Sequence, residues 1–436
     1  MKNIKYIGLG LIAVLAVIAC DNDLDQTPPL EVESSTVTDF ANVLNAAYHY
    51  QTGSCTPLAV MGDFRADNML MDEEPYPAFD RFDSDLAGGD LVEQFFRPFY
   101  SNLYKAILSA NNVIENSMDT NEVAEAKFLR ALSYFKLVKV FGDVSVVLDA
   151  TPSIEDTDLT RQSAASIYTT IIIPDLQDAI TNLENSVSSG RASALAAQGI
   201  LGKVYMYLGE FGNAETQLSA VISGASGQGV MLEPNFADVV RDVSSEIIFA
   251  TKVSSSVPDE YSATEFPEWF AGDDTKSSLP LDADLTAAFD AAGDTVRKGL
   301  SIDTANSVGV KYLGGLEQDW IELRLSDVIL LYAEAQNENG SDSASNILAL
   351  LDPIRTRAGL ASLSGTVTTQ AAVRKAIADE RRLELAMEGE RWFDLVRTGT
   401  VDTEMGETIN ANYHIFPIPN SEVLASDGVI TQNSGY

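Results

Sequence analysis

Between residues 94 and 223 the apolar positions repeat with a helical step. Phe96, Tyr100, Leu103, Ile107 and Ile114 mark one segment, and Phe128, Leu132, Phe135 and Val138 mark the next. Each run has one face to bury, so the pattern predicts amphipathic helices packed against one another. The breaks fall on turn-forming chemistry: Asn116-Ser117 to Asn121, Phe141-Gly142-Asp143, Ser188-Ser189-Gly190, and Gly209 to Gly212. Two long stretches, about 56–93 and 225–320, break the period. Both are rich in Gly, Pro, Asp and Ser and carry aromatics without helical spacing. Loops longer than about 15 residues in a compact domain are usually functional or disordered, so ligand contacts are expected there.

In AAQGILGKVYMYLGEFGNAETQLSAVI, the residues Gly202, Tyr205, Gly209, Phe211 and Ala214 fall roughly where a tetratricopeptide helix pair places small and aromatic side chains. A less regular unit runs from RLSDVILLYAEAQNENG into SASNILALLDPIRTRAGL, with Leu325, Val328, Tyr332 and Ala335 on one face. Two imperfect units predict a mostly α fold of helix pairs stacked irregularly around a shared core. GASGQG at 224–229 lacks the Lys-Ser/Thr ending of a phosphate loop and reads as a turn.

The N-terminus carries Lys2 and Lys5 and then an apolar run from Ile7 to Ile18. That run is shorter than the roughly 20 residues of a membrane span, so it targets rather than spans. Val17-Ile18-Ala19-Cys20 matches a lipobox, which makes Cys20 the expected acylation site after removal of a signal peptide at 1–19. Several acyl chains at about 0.8 kcal/mol per buried CH2 would anchor the chain permanently. Residues 20–33, acidic and proline-bearing, read as a tether, and 34–436 as a single domain. Asp21, Asp23 and Asp25 have the spacing of half a calcium loop, but Gln26 and Val32 stand where glycine and glutamate belong. A structural calcium ion thus has no motif behind it, and no cofactor is expected.

Twenty-eight Lys and Arg against 64 Asp and Glu give a net charge of -36; loss of two lysines with the leader gives 26 minus 64, or -38. Without a clustered basic face, such a chain is not expected to bind nucleic acid. With Cys20 acylated, Cys55 has no disulfide partner and reads as a small buried residue. His49 and His414, the chain's two histidines, each stand alone, which argues against a catalytic or metal-binding histidine.

The segment IADERRLELAMEGERWFDLVRTG, residues 377–399, closely resembles the signature helix of the SusD/RagB family of outer-membrane nutrient-binding lipoproteins. DLDQTP, AEAKFLRALSYFKLVKVFGDV, SAASIYTTIIIPDLQDAITNL, RLSDVILLYAEAQNENG and the ending HIFPIPNSEVLASDGVITQNSGY agree in the family's order. In the signature segment, Glu388 with Arg391 and Arg391 with Asp394 stand one helical turn apart and are expected to pair. Glu384 and Glu388 have arginines beside them, which keeps them ionised and unsuited to acid catalysis. Trp392 counts as core. The resemblance implies a helical scaffold over about 39–52, 94–223 and 321–399, with loop-rich ligand-binding insertions at about 56–93 and 225–320. It also implies no catalysis, a lipid-anchored place on the cell exterior, and delivery of captured oligomers to a SusC-like TonB-dependent transporter of the outer membrane.

Sugar rings present flat CH faces that aromatic rings cover, while amides and carboxylates hold the hydroxyls. On that chemistry the expected ligand residues are Trp269 with Tyr261, Phe266 and Phe270 in YSATEFPEWFAGDD, unless this cluster packs under its own loop. In RADNMLMDEEPYPAFDRF, Arg65, Asp67 and Asn68 are candidates to bond hydroxyls and Tyr76 or Phe79 to stack. The two loops are paired by analogy with the family. Trp320 either borders the site or packs on the helix beginning near Glu322. The leading expectation is a neutral oligosaccharide or polysaccharide such as a glucan. An oligopeptide, as in the RagB branch, is the alternative, and a surface glycan hydrolase a third.

Overall fold

Helices form nearly all of the regular structure, because most of the chain's apolar runs have one face to cover. The computed structural model describes residues 39–152, 157–188, 190–254, 264–272, 277–312 and 318–436. The leader, Cys20, the tether and Tyr261 lie outside the described residues. The main elements of the first half are α1 (Ala41–His49), α2 (Cys55–Ala59), α3 (Arg97–Asn116), α4 (Thr120–Phe141), α5 (Ile173–Asn182), α6 (Ala194–Tyr207) and α7 (Phe211–Ala225). Then come β1 (Ile247–Thr251), α8 (Phe266–Ala271), α9 (Ala283–Ala292), α10 (Thr295–Ser301), β2 (Trp320–Arg324), α11 (Leu325–Asn339), α12 (Gln370–Glu384) and α13 (Arg391–Thr398).

Consecutive helices pack in pairs: α3 on α4, α4 on α5, α5 on α6, α6 on α7, and α11 on both α7 and α12. Their starts are capped as expected. Asp119 accepts from the Asn121 and Glu122 amides, Ser193 from Ala196 and Thr369 from Ala372, contacts that are each typically worth about 1 kcal/mol. In the α6–α7 pair, a Cβ on Gly202 would stand 2.6 Å from Leu218 Cδ2, so the close approach requires glycine. β1 and β2 pair antiparallel, with Thr251 opposite Trp320 and Ala250 opposite Ile321.

The 56–93 stretch is less loop-like than its composition. Residues 55–64 form α2 and a wide helical turn, and every residue from Gly53 to Met69, Cys55 included, is buried. A helix covered on all sides has no polar face, so its period is invisible in the sequence. The 225–320 stretch likewise holds β1, α8, α9 and α10.

The signature segment is two helices, not one. α12 ends at Glu384, Met387 and Gly389 take φ of 65° and 72°, and α13 starts afresh at Arg391. The Asp63 carboxylate holds this turn, accepting from the Met387 amide at 3.0 Å, the Gly389 amide at 2.7 Å and Asn68 Nδ2 at 2.9 Å. Gly62 lies directly on it, where a Cβ would come within 2.2 Å of the Gly389 carbonyl oxygen.

The break redirects the expected ion pairs. Glu388 accepts from Arg324 Nη2 at 2.7 Å and Lys311 Nζ at 2.6 Å, and Arg391 donates to Asp67 and Glu404 instead. Asp394 pairs with Arg381 and Arg397. Glu384 accepts from Arg297 at 2.9 Å, from Arg324 at 2.8 Å and from Arg357, all buried. Burial alone would raise the Glu384 carboxyl, but Arg357, Arg324 and Arg297 outweigh it and hold it below the usual carboxylate range. Glu388 is held down in the same way by Arg324 and Lys311. Burial pushes Asp63 the other way, to about 6, against its Asn68 and backbone donors.

Two predictions follow from this packing. Gly62→Ala will destabilise the fold by about 1–3 kcal/mol or more, since backbone must move. Gly299→Ala, in α10 with no atom within 4 Å of the added Cβ, will stabilise it by about 0.5–1 kcal/mol. Paired urea unfolding curves read both. The pH response has two branches. Asp63 has a raised folded pKa, so protonation favours the fold as pH drops from above 6 towards the unfolded value of 3.8. The depressed Glu384 and Glu388 stabilise above their unfolded value of 4.5, and that contribution is lost as pH falls below it. Thermal scans should show the melting temperature falling steeply below about pH 4. Asp63→Asn, which sets an NH2 donor against the Met387 or Gly389 amide, should lower the melting temperature at every pH and remove the pH dependence of the branch between 7 and 4.

Candidate functional site

The two segments singled out for ligand contact are joined edge to edge. Met69 and Leu281 form an antiparallel bridge, the Leu70 amide donates to the Pro280 carbonyl at 2.8 Å, and Asp282 donates to Asn68 at 3.3 Å. Ser277 Oγ bonds both the Leu70 carbonyl and Asp72 Oδ1 at 3.2 Å. Residues more than 200 positions apart thus build one surface.

The aromatics beneath that surface face inward. Trp269 is 1% exposed, with its ring edge-on to Tyr76 at 5.2 Å, Phe95 at 5.3 Å and Phe64 at 6.3 Å. Phe270 stacks between Phe64 at 5.5 Å and Tyr312 at 6.0 Å. Phe266 stands edge-on to Tyr312 and Trp320, while Phe79 packs on Phe95 and Phe96. Trp320 is buried and closes on the Gly389 turn rather than bordering a site. Four rings named as candidate sugar platforms, Trp269, Phe266, Phe270 and Phe79, are therefore core, and Trp320 takes the packing alternative. The physical reason is area: burying them gains far more than leaving them half-wet under a loop.

The expected hydroxyl-binding trio is also committed inward. Arg65 is buried, donates to the Phe79 and Tyr413 carbonyls, and lies 4.3 Å above the Phe82 ring, where burial lowers its pKa to about 10. Asp67 takes two bonds from Arg391, at 2.7 and 2.8 Å, and one from Arg382. Asn68 donates to Asp63 and accepts from Arg382 Nε at 3.1 Å. Asp67 and Asn68 thus brace the signature segment, while Arg65 ties the Phe79 turn to the segment at Tyr413.

Of the described members of the expected set, Tyr76 alone reaches the surface. It is half-buried, with its hydroxyl donating to Gln94 Oε1 at 3.1 Å. Around it stand exposed Asp72, Glu73 and Glu74, half-buried Glu268 and exposed Leu279. A carboxylate rim beside a tyrosine edge accepts hydroxyl hydrogen bonds and repels anions. Among the described residues, no three His, Cys, Asp or Glu side chains converge as a metal cage.

A second concavity escaped the sequence reading. A groove of about 310 Å3 runs between α12 and α13, closed at its ends by Asn68 and by the α6–α7 turn at Gly209 and Phe211. One wall is the α12 face Ala371, Arg374, Lys375, Ala378 and Arg382. The signal was present in the sequence: small and basic residues at helical spacing where a packed helix would show apolar ones.

Comparison with known proteins agrees with this architecture. A model of the SusD family matches residues 295–415, and one described as starch-binding associating with outer membrane matches 24–206. SusD-like protein P38 of Formosa agariphila is 25% identical across 93% of both chains, and a SusD-like protein of Bacteroides ovatus is 25% identical across 91% of this chain and 82% of its own. Among solved structures, a laminarin-binding SusD-like protein superposes with a TM-score of 0.71 at 25% identity, covering 92% of this chain and 99% of that one. A SusD superfamily protein from Bacteroides vulgatus gives 0.77 at 22% identity, covering 93% and 100%. The two family models, which together match residues 24–206 and 295–415, place the chain in the SusD family, whose members are binding proteins rather than enzymes.

Proposed function

We propose that the chain is a lipid-anchored surface protein that captures a neutral oligosaccharide or polysaccharide, a glucan in the leading case. It then delivers that glycan to a SusC-like TonB-dependent transporter in the outer membrane. The observation that carries this reading is the joined loop face, where Tyr76 stands among the carboxylates of Asp72, Glu73, Glu74 and Glu268. Carboxylates accept hydrogen bonds from the hydroxyls of an uncharged sugar, and the half-buried tyrosine ring offers apolar surface to its CH groups. Support for a glucan comes from the laminarin-binding relative, and for the location from the family description that names the outer membrane. Acylated Cys20 would hold the chain at that membrane, with the face turned outward.

Native gel electrophoresis of residues 21–436 in laminarin, starch, xylan and pectin tests the ligand. Retardation by a neutral glycan is expected, with Tyr76→Ala weakening it about tenfold and lowering the melting temperature less than Trp269→Ala does, because Tyr76 is only half-buried. Trp269→Ala should instead cost about 3–5 kcal/mol of stability. Retardation by pectin alone, or by none of the four while short peptides bind, would overturn the neutral-glycan reading. For the anchor, Cys20→Ser should move the protein out of the outer-membrane fraction into soluble fractions.

A further inference from the structure

The groove between α12 and α13 has no part in the loop face. Its floor is apolar, made by Met206, Ile377, Leu385 and Leu395, with half-buried Phe211 at one end. Its volume, about 310 Å3, lies at the lower end of ligand pockets and suits one or two sugar rings rather than a folded partner.

Its walls hold six cations and six carboxylates, so the groove is locally neutral in a chain of net charge -36. The charges hold one another in place. Arg374 grips Glu338, Arg397 grips Glu334 with Asp394, and Arg391 grips Glu404 with Asp67. An anion or cation gains little from such walls, and a wholly apolar ligand would desolvate them. A hydroxyl both donates and accepts, so it can use spare lone pairs and N–H groups without breaking any pair. Glu390, whose Oε1 accepts from Lys203 Nζ at 2.7 Å, is one more fixed carboxylate of the lining. At the edge, exposed Thr398 and half-buried Thr400 hydroxyls bond each other at 2.9 Å and leave lone pairs for a further donor.

From these observations we propose that the groove is a second saccharide subsite, taking one or two units of a neutral sugar with a CH face on Phe211 and hydroxyls on Thr398, Thr400 and the ion-paired walls. The proposal rests on the carbohydrate-binding reading above.

Saturation-transfer NMR with laminaribiose, maltose, cellobiose and xylobiose on residues 21–436 is the test. At least one disaccharide should give transfer, and Ala378→Trp, a large ring introduced at an exposed helix position, should abolish it. Phe211→Ala should weaken that binding about tenfold, which keeps the proposal testable should the tryptophan variant misfold. Tyr76→Ala should lower retardation in polysaccharide gels yet retain the disaccharide signal. Transfer that persists in both groove variants would overturn the proposal, as would no transfer from any of the four while the chain still retards a neutral polysaccharide. Either result leaves the loop-face reading standing. If neither disaccharide nor polysaccharide binds, the carbohydrate reading falls and the groove proposal with it.

Discussion

Arg324 is the charge around which this fold is arranged. It ends β2, precedes α11, and reaches Glu246 beside β1 together with Glu384 and Glu388 of the signature segment. Withdrawing a guanidinium and three carboxylates from water costs several kcal/mol per ion, a loss offset only where geometry is good and remaining donors and acceptors are met. Here Lys311, Arg357, Arg297 and the Glu384 carbonyl complete the set. The network fixes where α12 must stop. That stop creates the turn at 385–390, the turn receives Asp63, and the chain leaving Asp63 becomes the first of the two joined loops. Position is thus passed from a buried ion cluster to the surface through one carboxylate.

Half-covered helices were legible in the sequence because their polar faces record solvent. α3 and α7 follow the apolar period, while α4 and α6, buried on nearly every side, are marked by the glycine turns that end them. Gly53 to Met69 left no such record, being buried on every side. The break in LELAMEGE was hidden for another reason: Met387 adopts a left-handed conformation that nothing in its own identity announces, and the donors that reward it point at Asp63, more than 300 residues away.

The ligand residues were harder still. Trp269 amid acids reads the same whether its ring faces outward or inward, and the choice is made by Tyr76, Phe95 and Phe64, which sequence spacing cannot bring near. The two paired loops do meet along Met69 and Leu281. At that seam, large rings went to the core and small acidic side chains to the rim, as the difference in their transfer energies requires.

That division separates two kinds of change the chain can tolerate. The rings that weld the loops together are packed against one another and cannot vary singly without disturbing the whole. Exposed Asp72, Glu73 and Glu74 stand outside that packing, Asp72 held by Ser277 and Glu74 by Arg81. Substitution there leaves the aromatic floor as it is, so the charge of the rim is free to change where the rings beneath it are not.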